Sequence, residues 1–189
     1  MRQENARKKP AAPAATPRAA KRPAPLPPAA KSPAEVWGTK VAVVVSKFHS
    51  DITDKLSEGA AAVFQKAGAQ MERFDVPGAF EISGLLTRLA RSRRYDGLMA
   101  IGCVIRGQTE HYDLVVQQVR EGVGRLSAAG DVAVTFGILA VDNRKQAQDR
   151  AGGKLGNLGS EAADALIKLI ATYRRTAHPG LAQPVAAHS

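Results

Sequence analysis

Val41-Ala42-Val43-Val44-Val45, with Ser46-Lys47-Phe48-His49-Ser50 behind it, is the stretch on which the fold turns. Five apolar residues without alternation, four of them β-branched, read as a strand buried on both faces, as in a parallel sheet covered by helices. Ser50 then offers a side-chain cap, and Ile52, Leu56, Ala60, Val63 and Phe64 recur at helical spacing until Gly68 stops the helix. The same alternation continues outward. A short strand is predicted at residues 70–75 and a turn at Val76-Pro77-Gly78. Phe80, Ile82, Leu85, Leu86 and Leu89 mark a second helix. Residues 97–105 form an apolar strand, followed by the loop 106–110 and a helix over about 111–127. Residues 132–139 supply a fourth strand, and helical pieces follow at 144–151 and 160–174. Strand and helix alternate throughout, which predicts an α/β fold: a doubly wound parallel four-stranded sheet with helices on both faces, a flavodoxin-like three-layer sandwich.

The 189 residues suffice for one domain of roughly 100–150 residues with an appendage. No stretch approaches the ~20 apolar residues of a membrane helix, so no membrane association is expected. Basic residues near the start are not followed by an apolar segment, so a secretory signal is not expected either. Cys103 is the only cysteine, which excludes an intrachain disulfide and a multi-cysteine metal site and fits a reducing, cytoplasmic setting. Of the net charge of +10, residues 1–37 contribute six, through eight basic and two acidic side chains, and they also hold eight of the eleven prolines. That composition buries too little apolar area to offset ordering, so residues 1–37 read as a disordered basic Ala/Pro/Lys/Arg-rich arm. Such an arm attracts polyanions, nucleic acid included, by counterion release, or serves as a solubilising extension. Residues 38–176 read as the domain and 177–189 as a flexible tail.

Ligands in doubly wound folds sit outside the carboxyl ends of the strands, which nominates four loops. After the first strand, Phe48 stands in a turn where a ring can stack on a planar ligand. After the second, Val76-Pro77-Gly78-Ala79-Phe80-Glu81-Ile82 leads a turn into a helix, leaving backbone N–H donors for a polar heterocycle and Glu81 as an acceptor for hydroxyls. After the third, Gly107 permits close approach and the N–H groups of Gln108 and Thr109 point off a helix start, a ready phosphate cradle. His111 stands in the same turn, with an imidazole suited to proton transfer near neutrality. After the fourth, the segment 150–159 is glycine-rich and basic without the pattern of a P-loop, and Arg150 offers a guanidinium to phosphate.

Together these segments resemble lumazine synthase. The resemblance rests on Val76-Pro77-Gly78-Ala79-Phe80-Glu81-Ile82, on Gly102-Cys103-Val104-Ile105-Arg106-Gly107 leading through Thr109 to His111-Tyr112-Asp113, and on Arg150-Ala151-Gly152 before Gly156-Asn157. It implies a cofactor-free, metal-free transferase of riboflavin biosynthesis, condensing 5-amino-6-ribitylaminouracil with 3,4-dihydroxy-2-butanone 4-phosphate to 6,7-dimethyl-8-ribityllumazine. It further implies that His111 is catalytic, as proton shuttle. Phe48 would stack on the pyrimidine, and Ala79, Phe80, Glu81 and Ile82 would bind the heterocycle and ribityl chain. Cys103, Val104 and Ile105 would line the site, and Gln108, Thr109 and Arg150 would hold phosphate. Phe136 and Arg150 would arrive from the adjacent subunit of a homo-pentamer, with a larger shell left open. The chain departs from the family at Leu158, where a lysine is usual, with Lys154 nearby. Ser83 stands in place of a proline, and Glu161 falls where an acidic partner of the histidine is often found. The alternative is a weakly active or inactive paralogue that binds flavin or lumazine or forms a shell.

Overall fold

The computed structural model describes residues 38–176, so the expectations for residues 1–37 and 177–189 lie outside the described residues. Strands β1 (Lys40–Ser46), β2 (Gln70–Val76), β3 (Gly97–Ile105) and β4 (Ala133–Val141) alternate with helices α1 (Ser50–Lys66), α2 (Ile82–Ser92), α3 (His111–Ala129), α4 (Arg144–Arg150) and α5 (Leu158–Thr176). The sheet is parallel throughout, in the order β2-β1-β3-β4. The predicted fold is the observed one.

Strict alternation along the strands sorts side chains to the two faces. Val41, Val43 and Val45 of β1, with Met99, Ile101 and Cys103 of β3, pack against Ile52, Leu56 and Phe64 of α1 and Leu166 and Ile170 of α5. Ala42, Val44, Leu98 and Ala100 face the other way, against Ile82, Leu86 and Leu89 of α2 and Val119 and Val123 of α3. Full burial of each large side chain contributes about 1.5–3 kcal/mol, so the two-sided core dominates what holds the layers together. β1 is central and wholly buried after Lys40, as its unbroken apolar run requires. Gly68, at φ 70°, ends α1 with Gly68 N–H donating to Gln65 O and Ala69 N–H to Phe64 O, the stop read from the sequence.

Three local expectations are corrected. Ser50 is the first helical residue of α1, not its cap. His49 holds the cap position in the left-handed region at φ 57°, with no side-chain cap bond. The strand must reverse within three residues, and the His49 carbonyl, turned by that geometry, accepts from Ile52 and Thr53. Phe80 precedes α2 rather than marking its buried face and is 52% exposed, because the Pro77-Gly78 turn delays the helix to Ile82. Finally, the helical piece predicted at 144–151 ends at Arg150, before the glycine-rich segment. That segment forms a small antiparallel hairpin, β5 (Ala151–Gly153) with β6 (Gly156–Asn157), through which α4 passes into α5.

No helix among the described residues is long and apolar enough to cross a membrane.

Candidate functional site

A cleft of about 610 Å³ opens at the carboxyl ends of β1, β2 and β3. Each wall is set by a strand-to-helix turn. The β1 turn presents Phe48, whose N–H donates to Pro77 O at 3.2 Å while its ring remains 69% exposed. A Cβ on Gly78 would come 3.6 Å from the Phe48 ring, which also stands edge-on to the His49 ring at 6.4 Å between centroids.

That second turn is held from within. Glu81 Oε2 accepts from Gly78 N–H at 2.9 Å, and Ala79 O accepts from Ile82 N–H at 3.3 Å. The remaining N–H groups of the turn belong to Ala79, Phe80 and Glu81, all of which line the cleft. Ile82 does not, being fully buried beneath it in the α2/α3 core.

The third wall is the end of β3 and the start of α3. Cys103, Val104 and Ile105 form its floor, and Thr109 and His111 stand at its rim. Burial pushes the Cys103 thiol from 9.0 up to about 11, so it is a neutral wall and not a nucleophile at neutral pH. His111 opens α3, where the helix dipole and unsatisfied N–H groups favour an anion. Gln108 is exposed in the same loop without lining the cleft.

Phe136 and Arg150 lie elsewhere. Phe136, 40% exposed, stands on the edge strand β4. Arg150 closes α4 with both terminal nitrogens on Glu161, at 2.8 Å each, and a further bond to Leu155 O. The guanidinium in turn holds the Glu161 carboxyl below its ordinary range. Within the chain, therefore, Glu161 partners Arg150 rather than His111. Leu158, the first residue of α5, is half-buried against the α1/α5 core. Asn157 caps that helix, accepting from Ser160 N–H while its amide donates to Lys55 O.

The cleft also uses residues that the sequence reading does not nominate: His49, Tyr112 and Val115. One signal was available. Val115 follows His111 by four, which sets both on one face of α3.

The sequence profile of the 6,7-dimethyl-8-ribityllumazine synthases matches residues 38–174. The chain belongs to this family. Its lumazine synthase relatives include that of Anaeromyxobacter sp., 43% identical over 143 residues covering 74% of this chain and 88% of the relative. That of Nautilia profundicola is 41% identical over 138 residues, 71% of this chain and 90% of the other. The Leuconostoc mesenteroides synthase is 40% identical over 139 residues, 72% and 89%. The profile match covers the segment that carries the cleft, while residues 1–37 lie outside it.

Proposed function

We propose that this chain is a 6,7-dimethyl-8-ribityllumazine synthase, condensing 5-amino-6-ribitylaminouracil with 3,4-dihydroxy-2-butanone 4-phosphate and releasing phosphate and water. The observation that carries the reading is the sharing of one cleft by an exposed ring (Phe48), a helix start bearing Thr109, and an imidazole at the same helix start (His111). Phe48 stacks on the pyrimidine. Ala79, Phe80 and Glu81 read the heterocycle edge and ribityl hydroxyls, with Ile82 seating the turn from below. Thr109 receives the phosphate on the α3 N-terminus, and Gln108, outside the cleft in the same loop, reaches it only by turning inward when substrate binds.

In this reading the amine of one substrate adds to the ketone carbonyl of the other and water departs, leaving an imine. Phosphate leaves next, and the ribityl-bearing nitrogen closes the ring with loss of a second water. Each step moves a proton, and His111 relays it, a contribution of about 10²–10⁴-fold. Holding two substrates in register contributes up to ~7–11 kcal/mol more. Cys103, Val104 and Ile105 form the floor and take no proton.

Phe136 and Arg150 complete the site from a neighbouring subunit of a homo-pentamer, which accounts for their position away from the cleft of their own chain. The working unit is residues 38–176, cytoplasmic, with 1–37 and 177–189 as appendages.

Purified protein supplied with both substrates is expected to form the lumazine chromophore with one phosphate released per product. No product above the uncatalysed background overturns the reading. At limiting phosphate ketone, mixed assemblies of His111→Ala and Arg150→Ala chains are expected to exceed the activity of either homogeneous variant, and absence of that gain overturns the shared site.

A further inference from the structure

Arg106 has no part in the reading above, yet its half-exposed side chain meets three partners, Asp113, Asp142 and Tyr112. It follows the last residue of β3, and its N–H donates to Val141 O at the end of β4. Its guanidinium nitrogens meet both carboxylate oxygens of Asp113 at 3.3 Å, and its Nε stands 3.4 Å from Asp142 Oδ1. Its Cζ lies 4.0 Å from the centroid of the Tyr112 ring. Tyr112 and Asp113 are the two residues after His111, so one side chain ties the first turn of α3 to the ends of β3 and β4.

Within the chain, little else restrains that turn. Residues 107–111 are all exposed, and a Cβ on Gly107 would meet nothing within 4 Å. A planar guanidinium can grip a carboxylate with two bonds while stacking on a ring, which an ammonium cannot do. We propose that Arg106 is the positioning residue that clamps the His111 turn against the sheet, setting the imidazole and the adjacent anion-binding N–H groups in reacting position. The catalytic half of this inference rests on the function proposed above, whereas the clamp itself does not.

The test uses the full chain with Arg106→Ala, Arg106→Lys and Asp142→Asn, reading amide hydrogen exchange together with kcat and KM for each substrate. Arg106→Ala is expected to speed exchange on the order of 10-fold at residues 107–115 while the strands stay protected. It lowers kcat on the order of 10²-fold, the effect of misplacing a catalytic group by about 1 Å. KM for the ribitylaminouracil, bound on the Phe48 side, stays near wild type, and that for the phosphate ketone rises. Arg106→Lys keeps the charge but loses the fork and the stack, so kcat stays low. Asp142→Asn, which leaves Arg106 in place, shifts kcat the same way by less and carries the test if Arg106→Ala does not fold. Unchanged exchange at 107–115, a full kcat in Arg106→Lys, or faster exchange spread evenly over the domain would each overturn the proposal. If the wild-type chain makes no product, the proposed function fails and exchange alone still decides the clamp.

Discussion

Replacing Gly159 by alanine adds one methyl group where α5 crosses α1. The added Cβ would stand 1.9 Å from Leu56 O, 2.6 Å from Leu56 C and 2.9 Å from Leu56 Cα. All three are backbone atoms in a helix whose Leu56 side chain is fully buried, so no rotamer change relieves the clash. Restoring ordinary contact at 3.4 Å requires the helices to part by about 1.5 Å. Overpacking of that kind costs about 3 kcal/mol, at the upper end of its usual range. The better helix propensity of alanine returns about 1 kcal/mol, leaving a net loss near 2 kcal/mol. The displacement also reaches the site, because Glu161 is two residues further on and holds Arg150 through paired 2.8 Å bonds. Urea unfolding followed by circular dichroism is expected to show an earlier midpoint, and KM for the phosphate ketone is expected to rise. Gly84 of α2 is the control, since a Cβ there meets nothing within 4 Å, and Gly84→Ala should stabilise by ~0.5–1 kcal/mol. Equal midpoints for Gly159→Ala and wild type would refute the close crossing.

Three further outcomes follow from particular side chains. The folded Cys103 thiol keeps its proton to about pH 11 while an unfolded one loses it from its ordinary 9.0. Its contribution is therefore complete below pH 9 and is lost as pH rises toward 11, on the order of 1–2 kcal/mol after residual screening, a slope that Cys103→Ala should remove in unfolding titrations. Arg150→Ala should raise KM for the phosphate ketone on the order of 10–100-fold, with KM for the ribitylaminouracil little changed, in steady-state assays. Leu158→Lys puts an ammonium where the resemblance to the family implies one. Its stem covers the α1/α5 core surface that Leu158 now covers, and kcat/KM should rise with little change in the unfolding midpoint.

The layer order and the cleft floor were legible because burial on two faces leaves a blunt mark. Val41–Val45 and residues 97–105 are apolar without alternation, and only a covered parallel strand needs that. Turns were read less well. His49 adopts a left-handed conformation that no side-chain pattern announces, and Ser50 beside it offers a plausible cap that the chain does not use. The glycines of 150–159 lack the pattern of a P-loop but still invite a ligand reading in sequence, whereas Gly159 serves a helix crossing and Gly153 sits where a Cβ would strike Asp149 and the Gln148 carbonyl. Close backbone approach and ligand approach ask for the same residue. Glu161 illustrates the remaining limit: its partner, Arg150, is fixed by the hairpin between α4 and α5, and a three-residue strand has too little pattern to be seen. Arg106 was visible as part of a motif, but its grip on Asp113, Asp142 and Tyr112 exists only once β3, β4 and α3 are assembled.

The most direct measurement is the rate of lumazine formation by His111→Ala against wild type, with both substrates saturating. A fall of about 10²–10⁴-fold with both substrates still bound is the predicted result. An undiminished rate would remove the imidazole from the chemistry and contradict the account of how this cleft works.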